Sequence, residues 1–345
     1  MKAIGFVGSD GTLRDIEVAQ PVARGHDLLV RVGAVSVNPV DTKDRKGGAP
    51  EGQTRILGWD AVGVVEAVGE QVTLFQPGQR VFYAGAIVRD GANSEMHLVD
   101  ERIVAQAPKT LDPPAAAALP LTSITAWEAL FERLVIDRHG AQRGRTLLVI
   151  GGAGGVGSIA IQLAAKLAGL TVIATASRKE SAEWCRALGA AHVVDHSGDI
   201  PAQLKALGFE TVDYVLCTND LDRHFDAIAT ALAPQGKVCS IVNNQQPLAV
   251  EKLFGKSGTL VFELMFTRSS FQTADMIEQH KLLAEVARLV DEGVLRTTVN
   301  DNFGHINANN LARAHAALES RRTIGKIVLS GWDHNPAFWD ARDNT

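Results

Sequence analysis

The stretch Thr146-Leu147-Leu148-Val149-Ile150-Gly151-Gly152-Ala153-Gly154-Gly155-Val156-Gly157-Ser158 constrains this chain most. Apolar Leu147 to Ile150 run into a glycine-dense turn. Ile159, Ala160, Leu163, Ala164 and Leu167 follow at the spacing of one buried helix face. The pattern predicts strand, tight turn, helix. Gly152, Gly154 and Gly157 fit G-x-G-x-x-G, whose missing side chains let the turn close, a pyrophosphate approach the backbone, and the helix pack on the strand. The phosphates of a dinucleotide then sit on N–H groups of Gly155, Val156 and Gly157 at the positive end of that helix. On length alone the uncharged run from Thr146 to Ala165, with Gly151 and Gly155 at G-x-x-x-G spacing, suits a membrane span. Its glycines are too dense for such a helix, and strand signals continue downstream.

At 345 residues two domains are expected. A composition of 46% hydrophobic and 21% charged residues is that of a soluble globular protein and argues against disorder as the main state. The formal net charge of -5 and the lack of a long basic run exclude the electrostatic footprint of a nucleic-acid binder. The apolar part of Met1 to Asp10 is too short for a secretory signal, so a cytoplasmic protein is expected, without membrane association. Cys185, Cys217 and Cys239 make neither a zinc ribbon nor a disulfide framework; the last two fall in apolar strand patterns that suit buried structural thiols.

From Met1 to about Arg102, short strands alternate with glycine, proline and aspartate: Leu28 to Val37, Ala61 to Val68 and Gln79 to Tyr83, with a turn at Gln76-Pro77-Gly78. No helix longer than about two turns is expected before Pro113. Asp112-Pro113-Pro114 opens a helix, Pro120 interrupts, and Thr122 to Leu130 resumes it, placing the domain crossover here. Beyond the opening strand come strands at Thr171–Ser177, His192–His196, Thr211–Thr218, Lys237–Val242 and Thr259–Phe266. Helices are expected between them, one running from Leu221 to Leu232 and stopped by Pro234. Six strands with intervening helices predict an α/β fold with a doubly wound parallel sheet. The closing strand Ile324 to Leu329 is expected to return to the first domain's sheet, making that domain discontinuous. The tail 331–345 holds Trp332, Phe338 and Trp339 without periodicity.

Together, Val37-Asn38-Pro39-Val40-Asp41, Gly58-Trp59-Asp60-Ala61-Val62-Gly63-Val64-Val65, Gly151 to Ser158 and Ile324 to Leu329 resemble the medium-chain dehydrogenase/reductase superfamily over about Met1 to Ser330. The nearest likeness is its zinc-free quinone oxidoreductase branch, including members called zinc-type alcohol dehydrogenase-like proteins. The resemblance implies a Rossmann dinucleotide-binding domain over residues 125–267. It also implies a discontinuous, β-rich GroES-like catalytic domain over 1–124 and 268–345. In zinc-dependent members a cysteine stands at the position of Asn38, and a histidine in a G-H-E segment where this chain has Gly58-Trp59-Asp60. No cysteine lies between Met1 and Trp184, so the third ligand expected near Thr122 to Trp127 and the four-cysteine structural lobe are missing. No zinc and no other metal is expected.

The residue about 20 positions after the last motif glycine accepts from the ribose 2′-OH in NAD enzymes. Here that place holds Ser177-Arg178-Lys179, donors and cations that suit a 2′-phosphate, so NADPH is the expected cofactor. The resemblance adds His196 beside the adenosine, Ser240, Ile241 and Val242 beside the nicotinamide, and Phe266-Thr267-Arg268 near the cleft. Without zinc, hydrogen-bond donors must stabilise the charge that develops on an acceptor's oxygen: Asn38 and Thr125 are the candidates, with Asp41 and Asp60 orienting them or capping turns. Trp59, Tyr83 and Phe266 are the candidate aromatic substrate pocket, although plain core packing suits Tyr83 and Phe266 as well. The expected function is NADPH-dependent reduction of a small-molecule quinone or α,β-unsaturated carbonyl. Two alternatives are a carbonyl (ketone or aldehyde) reductase or alcohol dehydrogenase, and an NADPH-binding, crystallin-like protein with little turnover. Sparse charge on the strand from Gly258 to Phe266, with the pairing of this edge in similar enzymes, implies a homodimer or dimer of dimers.

Overall fold

The computed structural model describes residues 1–333, so Phe338 and Trp339 lie outside the described residues. Two compact units emerge: Thr122–Met265, and Met1–Leu121 together with the described residues from Phe266 onward.

The continuous unit is built on a six-stranded parallel sheet. From one edge its strands run His192–Val194, Thr171–Thr175, Thr146–Ile150, Val212–Cys217, Leu232–Ser240 and Thr259–Phe262, the doubly wound order in which the chain reverses beside its first strand. Leu147 to Ile150 form an unbroken apolar run because this central strand is covered on both faces, and all four are fully buried. The glycine turn leads into the helix Gly155–Lys166. The helix Lys179–Leu188 ends on Gly189, whose φ of +119° closes it in the left-handed region.

Three expectations need correcting here. The helix Leu221–Ala231 passes straight into the strand Leu232–Ser240, so Pro234 lies inside a strand rather than stopping a helix. The last strand of this sheet ends at Phe262, four residues short of the expected Phe266; Glu263 makes one more backbone bond, to the Ser240 carbonyl at 2.9 Å, where its partner strand Leu232–Ser240 also ends. Glu128–Arg133 is π-helical: the Leu134 N–H reaches back five residues to the Ala129 carbonyl, and Val135 follows at φ +58°.

The discontinuous unit holds two sheets. In the smaller, Lys2–Val7 pairs antiparallel with Arg14–Glu17 and Thr54–Ile56. In the larger, the long strand Asp27–Ser36 pairs with Ala61–Val68 along one edge. Its other edge is shared: Met96–Asp100 takes residues 27 to 31, and the closing strand Lys326–Ser330 takes residues 34 to 36. Alternate residues of Asp27–Ser36, Val30 and Val32 among them, join Ile327 and Leu329 in the core. A helix, Pro39–Gly47, stands where none longer than about two turns was expected before Pro113. Its buried residues are Asp41 and Thr42, so it carries no apolar stripe to betray it. Asn38 is extended, Pro39 occupies the first helical position, and the Asp41 carboxylate accepts from the Asn38 N–H at 2.6 Å; these three fix where it starts.

Candidate active site

In the discontinuous unit, three segments converge because their backbones pair. The Ser36 N–H bonds the Asp60 carbonyl at 3.1 Å, and the Val37 N–H bonds the Ile327 carbonyl at 3.1 Å. Asn38, Asp60 and Lys326 thereby meet side chain to side chain, 1%, 0% and 3% exposed. The Lys326 ammonium donates to the Val37 carbonyl at 2.9 Å, to Asp60 Oδ2 at 2.9 Å and to Asn38 Oδ1. Asn38 Nδ2 donates to Asp60 Oδ2 at 2.8 Å and lies 3.3 and 3.4 Å from the carbonyls of Trp59 and Ser36. Asp60 Oδ1 accepts from the Leu121 N–H at 2.7 Å. Burial raises the Asp60 pKa, and the Lys326 cation opposes that rise.

Asp41 belongs to the same buried region. Burial pushes its carboxyl up to about 7 against the pull of the Asn38 N–H and of Lys326, and Oδ1 has no hydrogen-bond partner among the described residues. Lys326 already bonds the Asp60 carboxylate, so a second ionised carboxylate buried here would be poorly compensated.

Of the expected pocket residues, Trp59 and Phe266 meet edge to face with ring centroids 6.1 Å apart. Tyr83 is buried in the strand Arg80–Tyr83, and its hydroxyl lies 3.0 Å from His97 Nδ1. His97 Nε2 is 3.0 Å from the Asp90 carbonyl, which can only accept. The Nε2 nitrogen therefore carries the proton, and Tyr83 donates to Nδ1. Burial lowers His97 to about 4, so the ring is neutral at physiological pH.

The nucleotide half lies in the continuous unit. The glycine turn is a cradle that side chains would fill: a Cβ on Gly157 would fall 2.4 Å from the Gly151 carbonyl oxygen, and one on Gly152 would fall 2.7 Å from Ala174 Cβ. Gly154 caps the helix that begins at Gly155 and Val156, and Thr175 Oγ1 accepts from the Gly151 N–H at 3.0 Å. This arrangement fits a pyrophosphate. Ser177, Arg178 and Lys179 follow the strand Thr171–Thr175, with Ser177 and Lys179 exposed and Arg178 half-buried. His196 follows the strand His192–Val194, and its ring meets that of His224 at 6.2 Å. At the end of the next-to-last strand the Ser240 hydroxyl donates to the Val242 carbonyl at 2.7 Å, with Ile241 half-buried between them. Thr125 is buried in the helix Pro120–Trp127.

The structure thus joins Asn38, Asp41 and Asp60, and it places Thr125 in the other unit. A donor role for Asn38 toward an acceptor would require it to give up one of the bonds just described. Sequence reasoning missed Lys326, His97 and His224. For Lys326 a signal existed, a charged residue inside the otherwise uncharged stretch Ile324 to Leu329; the two histidines carried none. The cluster is a poor fit for zinc, since an amide and a carboxylate are already bonded to the Lys326 cation, with neither thiolate nor imidazole among them. Among the described residues no group of three or more His, Cys, Asp or Glu is placed to hold a metal ion.

The family model for the alcohol dehydrogenase GroES-like domain matches residues 2–109, and that for zinc-binding dehydrogenase matches residues 188–329. A zinc-type alcohol dehydrogenase-like protein of Staphylococcus aureus is 42% identical over 338 residues, covering 96% of this chain and 100% of its own. A quinone oxidoreductase of Pseudomonas aeruginosa is 33% identical over 328 residues, covering 92% and 94%. The mycobacterial protein Rv1454c, solved in complex with NADPH, superposes with a TM-score of 0.82 at 29% identity, covering 96% of this chain and 100% of that one. With its doubly wound unit, its GroES-like unit and these relatives, the chain belongs to the medium-chain dehydrogenase/reductase superfamily and is an oxidoreductase of that family.

Proposed function

We propose that this protein is an NADPH-dependent reductase of quinones or α,β-unsaturated carbonyls that works without zinc. The observation that carries this reading is the buried cluster of Asn38, Asp60 and Lys326, which is closed on itself by hydrogen bonds and offers no thiolate or imidazole. A reaction that must polarise an isolated C=O needs a Lewis acid or a strong proton donor. A conjugated acceptor needs less, because hydride added at the β-carbon pushes charge into an enolate or hydroquinone anion that solvent can protonate. Val40, where zinc-dependent relatives keep a hydroxyl residue, offers no proton relay.

NADPH, when bound, supplies the hydride. The glycine turn and the helix beginning at Gly155 hold its pyrophosphate, while Ser177, Arg178 and Lys179 present donors and positive charge to the 2′-phosphate. His196 borders the adenosine, and the segment Ser240-Ile241-Val242 is fixed by its own hydroxyl bond for the nicotinamide end. The NADPH-bound relative Rv1454c supports this choice of cofactor, and the quinone oxidoreductase relative supports the acceptor class.

The test is NADPH oxidation with a panel of quinones, cyclic enones, saturated ketones and secondary alcohols. Quinones and enones should turn over far faster than the saturated ketones, with negligible oxidation of the alcohols by NADP+. Efficient turnover of a plain secondary alcohol contradicts the reading, and so does tight NADPH binding without consumption by any acceptor.

A further inference from the structure

We infer that the indole N–H of Trp59 is the hydrogen-bond donor that receives the acceptor's carbonyl oxygen. The inference rests on the reductase reading and assigns a residue to it. The N–H and hydroxyl side-chain donors around the buried cluster find acceptors within the chain, with one exception. Lys326 has three N–H donors, and each has an acceptor: Val37 O, Asn38 Oδ1 and Asp60 Oδ2. The two amide hydrogens of Asn38 serve Asp60 and the Trp59 and Ser36 carbonyls. Tyr83 donates to His97, His97 to the Asp90 carbonyl, and Thr42 to the Pro39 carbonyl. Trp59 Nε1 is left: the residue is fully buried and its N–H has no partner among the described residues.

Buried N–H groups without an acceptor are rare in native proteins, which points to an oxygen that arrives from outside the chain. Gly85 carries no side chain on the Cδ1 side of the ring, where a Cβ would fall 3.7 Å from Trp59 Cδ1 and 3.5 Å from His97 Cε1. Phe266, packed edge to face on the indole, holds the ring against rotation.

The chemistry suits a conjugated carbonyl. As hydride adds at the β-carbon, the C=C electron pair shifts toward the carbonyl and negative charge gathers on its oxygen. The neutral indole N–H shortens its bond to that oxygen and keeps its own hydrogen, and solvent protonates the resulting enolate at carbon. A donor already in place acts where the charge develops.

Trp59→Phe removes the N–H and keeps an apolar ring. It should lower kcat/KM for cyclohex-2-enone by about 10- to 100-fold, chiefly through kcat, and leave the NADPH dissociation constant within about twofold. An unchanged kcat/KM overturns the inference while leaving the reductase reading intact. Because this variant could lose its fold, the wild-type protein supplies a second readout. In a 15N–1H spectrum of the NADP+ complex, the Trp59 Nε1–H resonance, assigned among the five tryptophans, should move downfield when cyclohexanone is added. Cyclohexanone presents the carbonyl but cannot react with the oxidised cofactor, so this arm stands even if no enone is reduced. A resonance that stays in place at saturating ketone contradicts the assignment.

Discussion

The glycine turn at Gly151–Gly157 and the buried cluster of Asn38, Asp60 and Lys326 are both constrained by the loss of ordinary choices, but at different ranges. In the turn, backbone atoms a few residues apart forbid side chains: a Cβ on Gly157 would strike the Gly151 and Gly152 carbonyl oxygens at 2.4 and 2.7 Å. In the cluster, the Lys326 ammonium finds its partners 266 and 288 positions away. The first constraint is written in consecutive letters and tolerates nothing larger. The second is satisfied by a set of charges, and its members have meaning only together. A local constraint can be read in consecutive residues, whereas a non-local one exists only once the chain has folded.

Breaking the cluster should have the largest effect. Lys326→Met leaves the Asp60 carboxylate buried without its counter-ion, and unfolding in denaturant should show a loss of about 3–5 kcal/mol. A loss under about 1 kcal/mol would mean that Asp60 simply takes up a proton and the cluster is not held by charge. Arg178→Ala tests the nucleotide side of the comparison. It should weaken NADPH binding by roughly 1.5–3 kcal/mol and leave NADH nearly untouched, as read by titration calorimetry; equal losses would assign Arg178 another role.

Asp41 sharpens the comparison through pH. Its carboxyl titrates at about 7 in the fold against an ordinary 3.8, so the native chain keeps a proton that the unfolded chain releases. Its contribution is therefore fully present below the unfolded value and is lost as pH rises through about 7. Asp41→Asn removes that slope. Relative to wild type, the variant should gain about 2–3 kcal/mol between about pH 5 and about pH 8, measured by thermal or denaturant unfolding. A constant difference across that range contradicts the assignment. His97 and His315 act oppositely: burial holds both at about 4, so they withdraw stability as pH falls from 6.5 toward 4. They do so equally in both proteins and cancel from the difference.

The smallest effect concerns assembly. The edge strand Thr259–Phe262 and its surroundings expose Phe254, Phe262 and Leu264 at 88%, 48% and 60%. A homodimer, or a dimer of dimers, would cover them, and light scattering at micromolar concentration should find one; a monomer contradicts it.

What could be read from the chain follows the same division. The doubly wound sheet was legible because its central strand Thr146–Ile150 carries a continuous apolar run and the helix Lys179–Leu188 ends on Gly189. The return of Lys326–Ser330 to the sheet of Asp27–Ser36 was legible from the position of an apolar strand after the nucleotide half. The helix Pro39–Gly47 was not, since its buried face is Asp41 and Thr42 and leaves no apolar period. Within the site, Ser177, Arg178 and Lys179 could be picked out by their distance from the glycines. Asn38 could be picked out as a residue that is not cysteine, but its bonds to Lys326 could not, because ion pairing across the chain leaves no local pattern.

If NADPH reduces the acceptor without a metal, chelation leaves turnover intact. The protein is dialysed against a strong chelator, its zinc content is measured, and NADPH oxidation with a quinone is followed before and after. Substoichiometric zinc with unchanged turnover is the predicted result. About one zinc per chain, lost together with the activity and restored with it, would contradict the account.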